Sequence, residues 1–216
     1  MKATAESQLL DGRRSHLPGP EPGTRSGPDR RTLVLSAALE LFAVRGYRTT
    51  TMVELGERAG IRGPSIYKHF SSKQEVLTAI TFATMDKLLH NYAIAVAGTD
   101  DVVEQFRRAV EMHVRFHARH RYEAFVGTRE IGSLEEPARS ALLARRDIYE
   151  HGFRQLIERG DATGRFNVPS CRLASYAILD MGMGVAVWYR EDGPLTEDEV
   201  VGHYGTLALR LVGVTS

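Results

Sequence analysis

Between Gly46 and Glu75 the chain reads GYRTTTMVELGERAGIRGPSIYKHFSSKQE, two short helical runs held apart by four residues. The runs are Met52–Ala59 and Pro64–Phe70, and Gly60, Ile61, Arg62 and Gly63 lie between them. A linker that short leaves room for a sharp turn and little else, which is the layout of a helix-turn-helix. Local punctuation agrees. Thr51 stands three residues ahead of Glu54, a capping box that satisfies the free N–H groups where a helix starts. Gly60 can take the left-handed conformation that ends it. Pro64 has no N–H and a fixed φ, so it suits the first position of the next helix. A second box, Ser72 with Glu75, opens a third helix.

A chain of 216 residues can bury a substantial core as one compact domain or two small ones. Charged residues make up 25% and hydrophobic ones 43%, as in water-soluble globular proteins. No apolar run is long enough to cross a bilayer, and the N-terminus lacks the apolar core of a secretory signal, so the expected location is the cytoplasm, with no membrane partner. The one cysteine, Cys171, excludes an internal disulfide and any cysteine-based zinc finger. No partner cysteine or basic cluster adjoins it, so it is expected to be a buried small hydrophobe. The net charge of +1 conceals a split: residues 1–75 carry twelve Lys/Arg against eight Asp/Glu, a balance of +4, and residues 76–216 carry sixteen against nineteen, a balance of −3. The basic end is the end with the helix-turn-helix, which fits binding of a polyanion by that part alone.

Three segments follow: a tail over 1–28, a helix-turn-helix domain over 29–75 and a helical domain over 76–216. Residues 1–28 are rich in Gly, Pro, Ser and Arg without apolar periodicity, and read as a flexible extension; Arg13, Arg14 and Arg25 could reach DNA as a loose arm, although a solvated tail is the simpler reading. The first helix runs from its N-cap Asp29 to Arg45 and carries Val34, Ala38, Leu41 and Phe42 as an apolar stripe. Arg30 and Arg31 lie at its exposed start. Lys73 to about Ala97 forms a long helix that joins the basic part to the rest, and Val102–Arg119 follows. On the latter, Val103, Phe106, Val110, His113 and His117 share a face, with His120 a turn further on. Histidines at such spacing can share a metal ion, but no cysteine is near and Glu111 is on another face, so packing or ligand contact is preferred and no metal site is assigned. Further helices are expected over Tyr122–Ile131 and Glu136–Arg159, the latter ended by Gly160. The helix Cys171–Tyr189 is too apolar to face water on any side. Thr196 and Glu199 form another capping box ahead of the last helix. The expected fold is therefore all-α, about nine helices, with the final two packing against their copies in a second subunit as a four-helix bundle.

The stretch from Ala37 to Lys73 resembles the DNA-binding domain of the TetR family of bacterial transcriptional regulators. The resemblance rests on Ala37-Ala38-Leu39-Glu40-Leu41-Phe42, Gly46-Tyr47, Thr49 to Thr51, Glu54-Leu55, Ala59-Gly60-Ile61, Ile66-Tyr67-Lys68-His69-Phe70 and Ser72-Lys73. One departure stands out: Arg62 replaces the small hydroxyl residue usual in the family. The resemblance implies a ligand-responsive regulator, most simply a repressor, that binds a palindromic double-stranded DNA operator as a homodimer. Arg48, Arg62, Lys68 and Lys73 would meet phosphates, with hydroxyls of Thr50, Tyr67 and Ser65 and the ring of His69 adding hydrogen bonds. Thr51, Gly63 and Pro64 belong to the same surface at the helix starts. Arg62, Ser65 and Lys68 would reach base edges.

The resemblance also implies an effector cavity in the second domain, whose occupant alters the separation of the two recognition helices, about 34–36 Å for half-sites one turn apart. Its lining would come from Phe82, Met85, Leu89, Phe106, Val110, His113, His117, Phe125, Tyr149, Met181, Met183 and Trp188, a Met and aromatic set suited to a small apolar effector. The run Val187-Trp188-Tyr189-Arg190, then Gly193-Pro194-Leu195-Thr196, is similar to a TetR subgroup with members that sense acyl-CoA thioesters, so an acyl-CoA or another lipid-like or aromatic molecule is the expected effector class. Two rivals are weaker. No nucleophile elbow, P-loop, dinucleotide fingerprint or paired-carboxylate motif is present, so an enzyme has no residues to name and no cofactor is expected. A helical carrier with a vestigial helix-turn-helix would have lost Thr50, Tyr67, Lys68, His69 and Lys73, and all are there.

Overall fold

The computed structural model describes residues 29–214. The tail expected over 1–28, with Arg13, Arg14 and Arg25, lies outside the described residues. Among those described the chain is all-α, without strands: α1 Arg30–Arg45, α2 Met52–Arg58, a 3-10 segment Gly63–Lys68, α3 Lys73–Val96, α4 Val102–Arg119, α5 Arg121–Arg129, a 3-10 turn Ile131–Ser133, α6 Ala138–Ala162, α7 Cys171–Trp188 and α8 Glu197–Leu211. No helix among them is long and apolar enough to cross a membrane.

The chain divides into two compact units. The first, the head, comprises residues 29–84 together with 122–140, and the second, the body, comprises 85–121 with 141–214. In the head, the α1 stripe is buried as its periodicity requires, with Val34, Ala38, Leu41 and Phe42 inside, and α1 packs on α2. Leu55, Ile66, Phe70, Val76 and Leu77 complete this core, and Val126 and Leu134 from the later segment are buried in the same unit. Each large apolar side chain so buried contributes about 1.5–3 kcal/mol. In the body, α4 packs against both α7 and α8. Phe106, Val110, Val114, Phe153, Ile157, Ile178 and Val185 are almost wholly enclosed.

Both reciprocal capping boxes at Thr51/Glu54 and Thr196/Glu199 are formed. The one expected at Ser72/Glu75 is only half made: the Glu75 N–H donates to Ser72 Oγ at 3.1 Å, but the Glu75 carboxylate turns to the N–H and hydroxyl of Ser71, at 2.8 and 2.9 Å. The second run of the helix-turn-helix, expected as helix over Pro64–Phe70, is wound as 3-10 over Gly63–Lys68. Nine residues, 64–72, separate its start from the start of α3 at Lys73, and i to i+3 bonding makes a turn from fewer residues. Gly160 does not end α6, which continues to Ala162; its lack of a side chain instead admits the ring of Phe166, whose Cδ2 would lie 2.0 Å from a Cβ there. Gly164, at φ +68°, follows the true end. Pro137 disfavours helix at Glu136, and α6 starts at Ala138 rather than Glu136. Cys171, expected to be buried, is half-buried at the first position of α7, where desolvation first and then Asp161 and Glu158 push its thiol pKa up.

Candidate nucleic-acid interface

Two of the head's cations are bound to the backbone of the helix-turn-helix itself. Lys73 Nζ donates to the carbonyls of Tyr47 at 2.7 Å, Thr50 at 2.6 Å and Arg48 at 3.4 Å, and lies 4.3 Å from the Tyr47 ring centroid. An ammonium has three donors, and here all are directed at the loop between α1 and α2. Desolvation accordingly lowers the Lys73 pKa, against the opposing pull of Glu130 and Glu54. Arg31, at the start of α1, donates to the carbonyl of His69 at 2.6 Å and stacks 3.9 Å above the ring of Phe70. Glu75 accepts from the same guanidinium at 3.4 Å. Arg31 thereby ties α1 to the end of the 3-10 segment.

The threonines expected at the surface divide. Thr50 is buried, with its hydroxyl donating to the carbonyl of Gly46 at 3.0 Å. The Thr51 hydroxyl caps α2, and the Glu54 carboxylate accepts from the Thr51 N–H at 2.8 Å, which holds that acid below the ordinary carboxylate range. The side chains of Thr50, Thr51 and Lys73 thus hold the frame. Arg48, Arg62, Gly63, Pro64, Tyr67 and Lys68 are exposed, and Ser65 and His69 are half-buried. Tyr67 keeps 54% of its surface in water although Ile66 before it and Phe70 three residues on are enclosed. The 3-10 segment therefore buries Ile66 and leaves its neighbours Arg62, Tyr67 and Lys68 outward.

Gly63, at φ +54°, and Gly60, at φ +69°, supply the two left-handed positions of the turn. Between them Ile61 is buried, and its N–H donates to the carbonyl of Gly56 at 2.8 Å. A Cβ at residue 56 would come within 3.1 Å of the Ile61 carbonyl oxygen. Gly56 is thus needed for the close approach of α2 to the turn, a role with no local sequence signal.

In the body, the structure brings His113, His117 and Tyr149 into one aromatic cluster, and adds Phe153 and Tyr92, neither of which was expected in the cavity lining. His113 Nε2 lies 3.0 Å from the carbonyl of Leu179 and must donate to it; Nδ1, 2.9 Å from the Tyr149 hydroxyl, then accepts in the neutral ring. Burial, followed by the nearby His117, drives the His113 pKa well below its ordinary value. His117 donates through Nδ1 to the His113 carbonyl at 2.8 Å, and burial lowers its pKa to about 4. Met85, Phe106 and Val110 are also buried, and Leu89, Met181 and Met183 are half-buried. Trp188 is 44% exposed, edge-on to Tyr189 and tilted against Tyr204. Phe82 and Phe125 belong to the head unit. Along α3 and α4 an open groove of about 500 Å³ has Ile94, Ala95, Met112 and Phe116 among its lining and Lys87, Arg108, Arg115 and Arg119 about them; none of the twelve expected cavity residues contributes to it.

Comparison with known proteins assigns both halves. Residues 34–80 match the family model described as bacterial regulatory proteins, tetR family, and residues 99–212 match that of the tetracyclin repressor-like C-terminal domain. The HTH-type transcriptional repressor KstR2 of Rhodococcus jostii is 29% identical over 198 residues, covering 89% of this chain and 95% of that protein. KstR2 of Mycobacterium tuberculosis is 28% identical over 188 residues, 86% of this chain and 93% of that one. Among solved structures, the TetR family transcriptional regulator PfmR from Thermus thermophilus is 31% identical with a TM-score of 0.74, covering 82% of this chain and 97% of that one. The ketosteroid transcriptional regulator KstR2 of Mycobacterium tuberculosis superposes with a TM-score of 0.80 at 26% identity, covering 88% and 97%.

Proposed function

This chain belongs to the TetR family of bacterial regulatory proteins, and from that membership we propose that it is a ligand-responsive transcriptional repressor acting on a palindromic operator in the cytoplasm. The observation that carries the reading is the division of labour in the head. Lys73, Arg31, Thr50 and Thr51 are tied by hydrogen bonds to the backbone or cap of the helix-turn-helix, while Arg48, Arg62, Tyr67 and Lys68 are exposed. A rigid frame presenting basic and hydroxyl groups is what reading a duplex requires. Arg48, Tyr67 and the α2 start serve phosphates, and Arg62, Ser65 and Lys68 serve base edges, arginine and lysine favouring guanine.

The DNA-binding domain spans 29–75 and the remainder, 76–216, holds effector and dimer functions, apart from residues 122–140, which pack in the head unit. The dimer forms through α7 and α8. Leu173, Tyr176, Val187 and Trp188 on α7 and Leu207 and Leu211 on α8 are exposed in the single chain, and a paired subunit would cover them. The effector enters among Met85, Leu89, Phe106, Val110, His113, His117, Tyr149, Met181 and Met183, and is a lipid-like or aromatic molecule such as an acyl-CoA or a steroid derivative, a class suggested by the ketosteroid regulator among its relatives. By favouring one spacing of the two heads, the effector lowers operator affinity.

Selection from random duplexes tests this reading. A palindrome whose half-sites lie one helical turn apart should be enriched, and an effector of the named class should release it. Recovery of no common site would contradict the proposal.

A further inference from the structure

The head contains residues that no reading of the helix-turn-helix would include. Residues 122–140 pack with 29–84 as one unit. Two side chains make the attachment. Glu130 Oε1 accepts from the Tyr47 N–H at 3.0 Å, while its other oxygen accepts from the Ser133 hydroxyl at 2.8 Å. Gln74, at the start of α3, donates to the Ser133 carbonyl at 2.6 Å and accepts from the Glu135 N–H at 3.3 Å.

The two attachments meet at one loop. Tyr47 receives Glu130 on its N–H and Lys73 on its carbonyl, and Lys73 continues to the Thr50 carbonyl, the residue before the cap of α2. The loop from Gly46 to Thr51, which sets where α2 begins, is therefore gripped between a carboxylate and an ammonium. The Glu130 charge also acts on Lys73, raising its pKa.

We propose that Glu130, with Gln74 as its companion, is a positioning residue for operator binding, so that the segment 130–135 is a working part of the DNA-reading head. Glu130 touches no DNA; it fixes the Tyr47 backbone and, through Lys73, the start of α2. The inference rests on the proposed operator function.

The sign of one substitution separates this role from electrostatics. An acidic group near a polyanion site repels it, so removing Glu130 for charge reasons alone would tighten binding. Positioning predicts the reverse. Glu130→Ala should weaken binding of a selected operator duplex on the order of tenfold, by loss of a charge-assisted hydrogen bond. Glu130→Gln, which keeps an acceptor for the Tyr47 N–H, should bind like the parent or slightly tighter. Gln74→Ala removes the second attachment and should show the same loss as Glu130→Ala. Because Gln74 carries no charge, it also reports if Glu130→Ala fails to fold. Dimer mass and the salt dependence of binding should stay unchanged in all three. Equal or tighter operator binding by both alanine variants would overturn the proposal. A parent protein that selects no operator would instead overturn the proposed function.

Discussion

The imidazole of His113 occupies the space that a side chain at residue 182 would need: a Cβ built on Gly182 would lie 2.2 Å from His113 Cδ2. The ring cannot retreat, because Tyr149 and the Leu179 carbonyl hold its two nitrogens. Gly182→Ala should therefore cost about 1–3 kcal/mol of stability, as overpacking does, measured by urea unfolding. The penalty should shrink in a His113→Ala background. An equal cost in both backgrounds would place its origin elsewhere.

The same histidines give stability a defined pH dependence. His113 and His117 are held neutral in the fold, with depressed pKa values, about 4 for His117. The unfolded chain binds their protons near pH 6.5. The contribution is thus fully present above about pH 6.5 and falls as the pH drops, for His117 down to about pH 4, by up to about 1.4 kcal/mol per unit for each histidine. Urea unfolding at pH 7 and pH 5 checks this, and a chain equally stable at both would contradict it.

Bound and exposed cations of the head should respond differently to salt. Arg48→Ala should reduce the slope of log affinity against log salt by about 1, as loss of one phosphate contact does. Lys73→Ala should lower thermal stability and affinity while leaving that slope unchanged, since its ammonium is bound to three carbonyls. A slope change for Lys73→Ala equal to that for Arg48→Ala would mean it serves phosphate after all.

Pairing through α7 and α8 predicts that Leu173→Glu and Leu207→Glu, at exposed apolar positions, yield monomers by light scattering. Operator affinity should then fall on the order of a hundredfold, because two half-sites are no longer bound together. Dimers that persist in both variants would put the interface elsewhere.

How much of this was legible in the sequence follows from where each signal resides. Capping boxes are local, so Thr51/Glu54 and Thr196/Glu199 could be read directly. The left-handed Gly60 and the buried stripe of α1 were legible for the same reason. Gly160 misled because its partner, Phe166, reaches it through space, and a glycine admitted for contact has the same letter as one that ends a helix. Lys73 looked like a phosphate ligand because charge does not say which way a long side chain folds back. Glu130 and Tyr47 are 83 residues apart, and no periodicity joins them.

The most direct measurement is fluorescence anisotropy of the dimer on its selected duplex and on a scrambled duplex of equal length, at matched salt, with the parent protein and Lys68→Ala. The account predicts that the parent prefers its own site by at least about a thousandfold, and that Lys68→Ala loses much of that preference. Equal affinity of the parent for both duplexes would contradict it.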